Sequence, residues 1–409
     1  MKTTSNTPTF WISNRDRKPQ GVDPKRMREV NSQVVLRLLR AHSPCSRADL
    51  VRHSGLTAPT VSAAIALLQR RGLVKFLGEG VSQRGRPPSL LEFDARSGYV
   101  VGVDIGGSTV RMALADLSGA IVERWNRRLT RDKTPERITD VISEGVSEMR
   151  ERHQLSAKKI LAIAAGAPGI TDAKSGHVLS APNLTNWRDV PLRDLLRAKT
   201  RIPATVENDV NLAAIGESSC GAAKDVRNFV FLAIGTGVGA GIFLNGHLHH
   251  GDTWSAGEIG YMLLPDLPSD AVAVNRLGAL ESIIGGACVE REWGRKIGNI
   301  NHGETCEEIF ARATAGDPRA RDLLARTARH LANAVTNLSL VLDTSLVVFG
   351  GGLGSNSALL EATSRLVSKN QFARPRLVIS SLGVEAQLQG AVHLAVQMAE
   401  AHGFQRQVA

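Results

Sequence analysis

Three glycine-rich turns, each at the end of an apolar strand, constrain this chain more tightly than any other feature. The first follows Tyr99-Val100-Val101-Gly102-Val103 and reads Asp104-Ile105-Gly106-Gly107-Ser108-Thr109, before a second strand on which Val110, Met112 and Leu114 alternate. The second, Gly235-Thr236-Gly237-Val238-Gly239-Ala240-Gly241, joins strands predicted at 229–234 and 242–244. The third, Phe349-Gly350-Gly351-Gly352-Leu353, follows the apolar run Leu346-Val347-Val348. A strand–Gly–Gly–strand hairpin exposes backbone N–H groups that can hold phosphate oxygens. An acid at its start, here Asp104, can hold a magnesium ion or its waters. One such turn alone is an ordinary hairpin. Three at separate strand ends point to a single nucleotide site assembled from two α/β lobes. The candidates for it are Asp104, Gly106, Gly107, Ser108, Thr109, Gly235, Thr236, Gly237, Gly350, Gly351 and Gly352.

The length, 409 residues, predicts two or three domains. An apolar fraction of 43% and a charged fraction of 22% exclude wholesale disorder, collagen and a disulfide scaffold. The uncharged run Phe229 to Asn245 is too short to span a bilayer as a helix. Met1-Lys2-Thr3-Thr4-Ser5 lacks the apolar core of a secretory signal, so a cytoplasmic protein with no membrane partner is expected. The four cysteines, Cys45, Cys220, Cys288 and Cys306, form no CxxC pair and fit a reducing compartment.

Charge is distributed unevenly. Residues 1–99 hold 17 Lys and Arg against 7 Asp and Glu, whereas residues 100–409 hold 33 against 32. A basic head on a neutral body predicts a polyanionic partner for the head. Residues 1–28 read as a flexible basic arm. A helical pattern starts at Asn31, with Val35, Leu38 and Leu39 on one face, and Ser43-Pro44 breaks it. Ser46-Arg47-Ala48-Asp49 has the form of a capping box, and Gly55 ends the short helix that follows. Thr57 caps the next helix, with Pro59 in its first turn and Val61, Ile65 and Leu68 at buried spacing. Thr57, Thr60, Ser62 and Ala63 give its other side only short side chains, as close approach to base edges requires. Leu73 to Phe76 reads as a strand and Gly78 to Ser82 as a turn. Arg84-Gly85-Arg86-Pro87-Pro88 is extended, and Arg84 and Arg86 suit a narrow minor groove, or else a charged linker. Together these elements predict a winged helix-turn-helix at 29–95 that binds double-stranded operator DNA.

Between the glycine turns lie clusters of the residue types that read sugar hydroxyls: Ala181-Pro182-Asn183-Leu184, Glu207-Asn208-Asp209 and Gly257-Glu258-Ile259-Gly260-Tyr261. Asp209 follows a strand and opens a helix. It is either an N-cap or the general base for a hydroxyl attacking a γ-phosphate. His249 and His250 follow a turn and could be ligands, but read first as facing solvent or packing beside a sugar, Trp187 as a lid or core residue, and Cys220 and Cys288 as small apolar packing groups. The mixed charges at 131–152 read as a solvated helix face.

These residues resemble the ROK family of repressors, open reading frames and kinases, from about residue 30 to near the C-terminus. The markers are DIGG at 104–107, GAPG at 166–169, APNL at 181–184, END at 207–209, GTGVGAG at 235–241, GEIG at 257–260 and FGGGL at 349–353. The resemblance implies a two-lobed, actin-like (RNase H-like) α/β fold over residues 98–409. Lobe one would span about 98–224 plus the C-terminal helix at 386–409, and lobe two about 225–385. It also implies a sugar contacted by Asn183, Asn208, Asp209, Glu258 and Glu281, with Asp209 as the catalytic base where the member is a kinase. Members of the family usually carry zinc on a His after GExG and on three Cys of a CxCGxxGC run. Here those positions hold Tyr261, Val272, Val274 and Ala279, so no zinc is expected, and Tyr261 is expected to alter which sugar fits. Thr109 stands where the family's kinases commonly have Lys. The expectation is therefore a sugar-responsive transcriptional regulator, most simply a repressor of carbohydrate-utilisation genes acting as a homodimer or homotetramer and needing no cofactor. The alternative is a sugar kinase with a DNA-binding head, which would use ATP and magnesium.

Overall fold

The computed structural model describes residues 23–79, 89–182, 184–264, 278–301 and 303–405. It divides into two compact units, Met1–Ala95 and Arg96–Ala409.

The first unit contains α1 (Pro24–His42), β1 (Cys45–Ser46), α2 (Arg47–Ser54), α3 (Ala58–Arg70), β2 (Val74–Glu79) and β3 (Ser89–Phe93). Local chemistry sets its helix ends. Ser46 and Asp49 form the reciprocal capping box of α2, Gly55 closes that helix in the left-handed region, and Thr57 caps α3 with Pro59 in the first turn. Val35, Leu36 and Leu39 of α1 and Leu50 of α2 are buried. With Val61, Ile65 and Leu68 of α3 and Leu91 and Phe93 of β3 they make one core. Leu38, expected on that face, is only half-buried, and Leu36 takes the inner place. Helix α1 begins at Pro24, inside the stretch expected to be a flexible arm and ahead of the expected start at Asn31. Its opening turns run over solvent and carry no apolar period to betray them, while Pro24 at the first position suits a helix start. The arm residues 1–22 lie outside the described residues.

The sheet order β1-β3-β2 is that of a wing supported by a short third strand. Strand β2 continues through Gly78 and Glu79, which were expected to turn. Its pairing with β3 shifts register between Phe76 and Gly78, and Gly78 has φ 125°, so a glycine is needed at the bulge. The wing tip, including Arg84 and Arg86, lies outside the described residues.

The second unit is built on two five-stranded sheets. The first uses β4 (Tyr99–Ile105), β5 (Thr109–Asp116), β6 (Ile121–Arg128), β7 (Ile160–Ala167) and β11 (Ala204–Asn208), in the order β11-β7-β4-β5-β6. Helix α4 (Pro135–Arg152) precedes β7. A small sheet of β8 (Ile170–Asp172), β9 (His177–Ser180) and β10 (Arg188–Val190), then α5 (Leu192–Thr200), precede β11. The second sheet uses β12 (Phe229–Ile234), β13 (Val238–Leu244), β14 (His247–Leu248), β15 (Leu346–Gly350) and β16 (Arg376–Ile379), in the order β14-β13-β12-β15-β16. Helices α7 (Glu281–Ile284), α8 (Gly286–Ile297), α9 (Cys306–Ala315) and α10 (Pro318–Leu342) precede β15, and α11 (Ser357–Val367) precedes β16.

Each sheet is thus a three-stranded antiparallel meander followed by two strands parallel to its first. The unit is an internal structural repeat. Parallel pairing requires the helical crossovers that supply α4, α5, α10 and α11. In both repeats the first strand ends in a glycine turn, so the turns belong to equivalent corners. Strands β13 and β15 are longer than expected and absorb most of the second turn and the start of the third.

Helices α6 (Asp209–Cys220) and α12 (Ala386–Gln405) follow the last strand of each repeat and exchange partners. Ala213 and Ala214 of α6 share a core with Phe229, Phe231 and Phe243 of the second sheet. Helix α12 lies on β4 of the first, where a Cβ at Gly102 would come within 2.9 Å of the Val392 nitrogen. The two helices touch at glycines. A Cβ at Gly216 would lie 2.3 Å from the Ala386 carbonyl oxygen, and one at Gly390 would lie 1.8 Å from that of Leu212. Beside this crossing, Glu217 is fully buried. Its carboxylate accepts from the Ser380 hydroxyl, from the Leu382 amide at 3.3 Å and from the Ala222 amide at 2.6 Å, tying α6 to the loop before α12.

Gly390→Val therefore forces the helices apart. The expected loss is about 3 kcal/mol or more, at the upper end of overpacking costs, read as a fall in the urea midpoint. An unchanged midpoint would mean that the crossing is not tight.

Candidate functional site

Strand β11 carries the buried Val206 and Glu207 into the site and stops where Asn208 caps α6, its Oδ1 accepting from the Asn211 amide at 2.9 Å. The N-cap is thus Asn208, not Asp209, because Asn208 keeps extended dihedrals while Asp209 is already helical. Asn208 donates from Nδ2 to the Gly169 carbonyl at 2.8 Å and to Asp209 Oδ1 at 3.2 Å. Both its donors are committed, which leaves one acceptor lone pair for a ligand. Asp209 Oδ1 also accepts from the Val210 amide at 2.8 Å.

Asp209 is half-buried by surface, yet its carboxyl is packed round with protein. Burial first, and then the negative charges of Asp104 and Glu258, push it up to about 7. Burial and then Glu281 raise Glu258, and burial raises Glu281, whose Oε2 accepts from the Val238 amide at 3.0 Å. The Tyr261 phenol is raised by burial and by Glu258 and Glu281. Asp104, Asp209, Glu258, Tyr261 and Glu281 therefore act on one another across the ends of both sheets. A carboxyl pushed up to about 7, as at Asp209, can both donate and accept hydrogen bonds near neutral pH, as a polyol requires.

The second and third glycine turns meet: Leu353 and Gly354 both donate to the Ile234 carbonyl at 3.0 Å, and Gly286 at the start of α8 donates to that of Gly235 at 2.8 Å. Gly350 ends β15, and Gly351 and Gly352 follow it, Gly351 against the Ile234 carbonyl and Gly352 beside Gly235. The first turn is closed by Gly106 donating to the Thr109 carbonyl at 2.9 Å, with Gly107 and Ser108 at its tip. It reaches the acid cluster through Asp104. Asn183 lies outside the described residues, as do Val272 and Val274.

The zinc implied by the resemblance does not fit. Tyr261 ends a short 3-10 turn, Ala279 is a buried apolar residue, and neither offers a thiolate or imidazole.

On α3, Thr57, Ser62 and Ala63 are exposed and Thr60 is half-buried, its hydroxyl 2.8 Å from that of Thr57. The exposed face continues past the expected stretch to Ala66 and Gln69, which share the i, i+4, i+7 spacing of Ser62.

Sequence reasoning missed Asn211 and Arg111 as partners of the site and left His250 between solvent and sugar-side packing. His250 Nε2 lies 2.8 Å from Glu207 Oε2 and its ring packs edge-on to Trp254 at 5.0 Å, so it faces the END corner. Glu207 Oε1 meanwhile accepts from the Asn208 amide and from Asn211 Nδ2. The pattern END-x-N was the available signal for Asn211. Arg111 is marked only by its place opposite Asp104 across the β4–β5 pair, where its Nε donates to Asp104 Oδ2 at 2.9 Å. Trp187 is a core residue whose Nε1 donates to the Lys133 carbonyl at 2.7 Å. Cys220, expected to pack, is exposed because it sits in the last turn of α6, and Cys288 is half-buried with Arg291 on its sulfur at 2.9 Å.

A winged helix-turn-helix joined to a duplicated α/β body, with carboxylates gathered at its strand ends, defines the class: a sugar-kinase-type body carrying a DNA-reading head. The ROK family model matches residues 100–398, and the model of the MarR family matches residues 34–85. The chain belongs to the ROK family. It is 28% identical to the xylose repressor of Bacillus subtilis over 368 residues, 88% of this chain and 93% of that protein. It is 33% identical to the xylose repressor of Bacillus spizizenii over 238 residues, 58% of this chain and 61% of that one. A crystal structure of a ROK family transcriptional regulator, a homolog of the Escherichia coli MLC protein, shares the fold with a TM-score of 0.78 over 93% of this chain and 98% of its own, at 22% identity.

The raised Asp209 carboxyl has a thermodynamic sign. Its folded value, about 7, lies above the ordinary 3.8, so its contribution to stability is full below the ordinary value and is lost as pH rises through about 7. The urea midpoint of the wild-type chain should fall between about pH 4 and pH 8 by an amount equivalent to a few kcal/mol at most. In Asp209→Asn that fall should flatten. Parallel profiles for the two proteins would show that Asp209 titrates normally.

Proposed function

We propose that this chain is a sugar-responsive transcriptional repressor: α3 and the wing read operator DNA, and the acid cluster at the strand ends binds a sugar. The observation that carries the reading is the match to a xylose repressor across both units, where a kinase would match the second alone. The exposed Thr57, Ser62 and Ala63, with Thr60 beside them, suit entry of α3 into the major groove. Arg84 and Arg86 supply the positive charge for the flanking minor groove. The body belongs to two or four copies whose heads read a two-fold operator, with half-sites one or two helical turns apart.

Asn183, Asn208, Asp209, Glu258, Tyr261 and Glu281 line the sugar site in this reading. Tyr261 supplies one hydroxyl and an apolar ring where a zinc-bound imidazole would otherwise stand. A sugar shifts DNA affinity only by as much as it binds the two states of the protein unequally.

A second reading, a sugar kinase with a DNA-binding head, is favoured by Asp209, because a base with a value near 7 suits proton removal from a hydroxyl at neutral pH. A coupled ADP-release assay over pentoses, hexoses and N-acetylhexosamines decides between them. Turnover above roughly 1 s⁻¹ that disappears in Asp209→Ala makes the kinase reading primary.

For the repressor reading, a gel shift with the gene's own upstream DNA should show binding that weakens steeply with salt, as phosphate contacts require. Arg84→Ala/Arg86→Ala should weaken it and lower the salt slope by about 2. Thermal-shift screening with xylose, glucose and N-acetylglucosamine should find one sugar that raises the melting temperature by mass action, and that sugar should release the DNA. No shift at low salt with any upstream fragment would refute the DNA role.

A further inference from the structure

The first turn of α6 is seated on the second sheet by glycines outside those assigned to a nucleotide. A Cβ at Gly241 would lie 2.5 Å from Ala214 Cβ and 3.1 Å from the Val210 carbonyl oxygen, and one at Gly239 would lie 3.2 Å from Val210 Cγ2. Strand β13 therefore lies directly against the helix that Asn208 caps and Asp209 opens. The segment after β14 leaves this strand and returns to it. The His249 amide donates to the Ile242 carbonyl at 2.8 Å, and the Ala240 amide donates to the Gly257 carbonyl at 2.8 Å. The loop is thus closed on β13 at both ends, with His250 at its start and Glu258 directly after its end. Three of its residues lie in the left-handed region, Gly251 at φ 70°, Trp254 at φ 64° and Gly257 at φ 94°. For Trp254 that backbone is costly, and its ring is the one that meets His250 edge-on.

From this loop, which belongs to the second sheet, His250 reaches β11 of the first. Glu207 is only 4% exposed, so its carboxylate has little water to fall back on. Oε1 accepts from the Asn208 amide at 2.9 Å and from Asn211 Nδ2 at 3.0 Å. Oε2 faces His250 Nε2 at 2.8 Å, and that bond raises the imidazole above its ordinary value. Removing the imidazole takes the partner from a buried carboxylate, and this carboxylate is the group that orients Asn208 and Asn211.

We infer that His250 is a positioning residue of the sugar site: through Glu207 it ties the loop that ends on Glu258 to the corner that presents Asn208 and Asp209. The inference rests on the acid cluster being the sugar site, so two measurements on the full chain are paired. Hydrogen exchange without sugar, read on peptides covering 206–212 and 249–261, tests the tie by itself. His250→Ala should speed exchange in both by about tenfold, the equivalent of one lost charge-assisted hydrogen bond. His250→Gln, whose amide nitrogen stands where imidazole Nε2 does, should restore most of the protection. His249→Ala, at the exposed neighbour, should change nothing. His250→Asn, too short to reach Glu207, replaces His250→Ala if that variant fails to fold by circular dichroism. Titration calorimetry with xylose, glucose and N-acetylglucosamine then reads the site. The sugar that binds wild type should bind His250→Ala about tenfold more weakly and His250→Gln nearly as well as wild type. Unchanged exchange in the folded variant, or unchanged sugar affinity, overturns the inference. If exchange rises as expected while none of the three sugars binds wild type, the tie is upheld and the sugar reading fails.

Discussion

The contact between α6 and α12 at Gly216 and Gly390 is the constraint from which the second unit takes its form. Each helix follows the last strand of one repeat and packs on the sheet of the other, so neither sheet owns its own final helix. That exchange is possible only where the backbones can come together without side chains between them. It places the start of α6, and hence Asn208 and Asp209, at the junction of the two sheets. The site residues come from β4, β11, the turn after β12, and the segments around Glu258 and Glu281, and they converge because the crossing fixes the sheets against each other.

The chemistry of the site follows from how few of its carboxylates are paired. Asp104 has Arg111 and Glu207 has His250. Asp209 and Glu281 each accept from a backbone amide, and burial lifts both of them and Glu258. A neutral polyol can satisfy such groups by exchanging donors for acceptors, which an anion could not do. The nucleotide half has Thr109 where the family's kinases commonly carry lysine, although all its glycines are present.

Much of the head was legible because its signals are local. The capping box at Ser46 and Asp49, the glycine at 55 and the cap at Thr57 each act within a few residues. The two-residue β1 was not legible, since it is a strand only by pairing with Leu90 and Leu91 far along the chain. Nor was the early start of α1, whose first turns bury nothing periodic. In the body the glycine turns and polar clusters announced the site, but not its internal wiring. Arg111 has meaning only beside Asp104 across a strand pair and beside Val384, 273 positions away. His250 likewise depends on Glu207, a residue 43 positions earlier. The glycines at 216 and 390 take their meaning only from the partner backbone they touch. The duplication of the two sheets left no repeated sequence motif beyond the glycine corners.

Helix α6 begins at the acid cluster and, about two turns later, carries Glu217 in its last turn, whose carboxylate grips the loop at Ser380 and Leu382. Its ends are thus welded to opposite halves of the body, and its middle rests on a fulcrum of bare backbone. A rod held in this way cannot absorb a pull at one end by bending. The same helix thus joins the acid at Asp209 to the backbone of α12 through one continuous run of hydrogen-bonded turns.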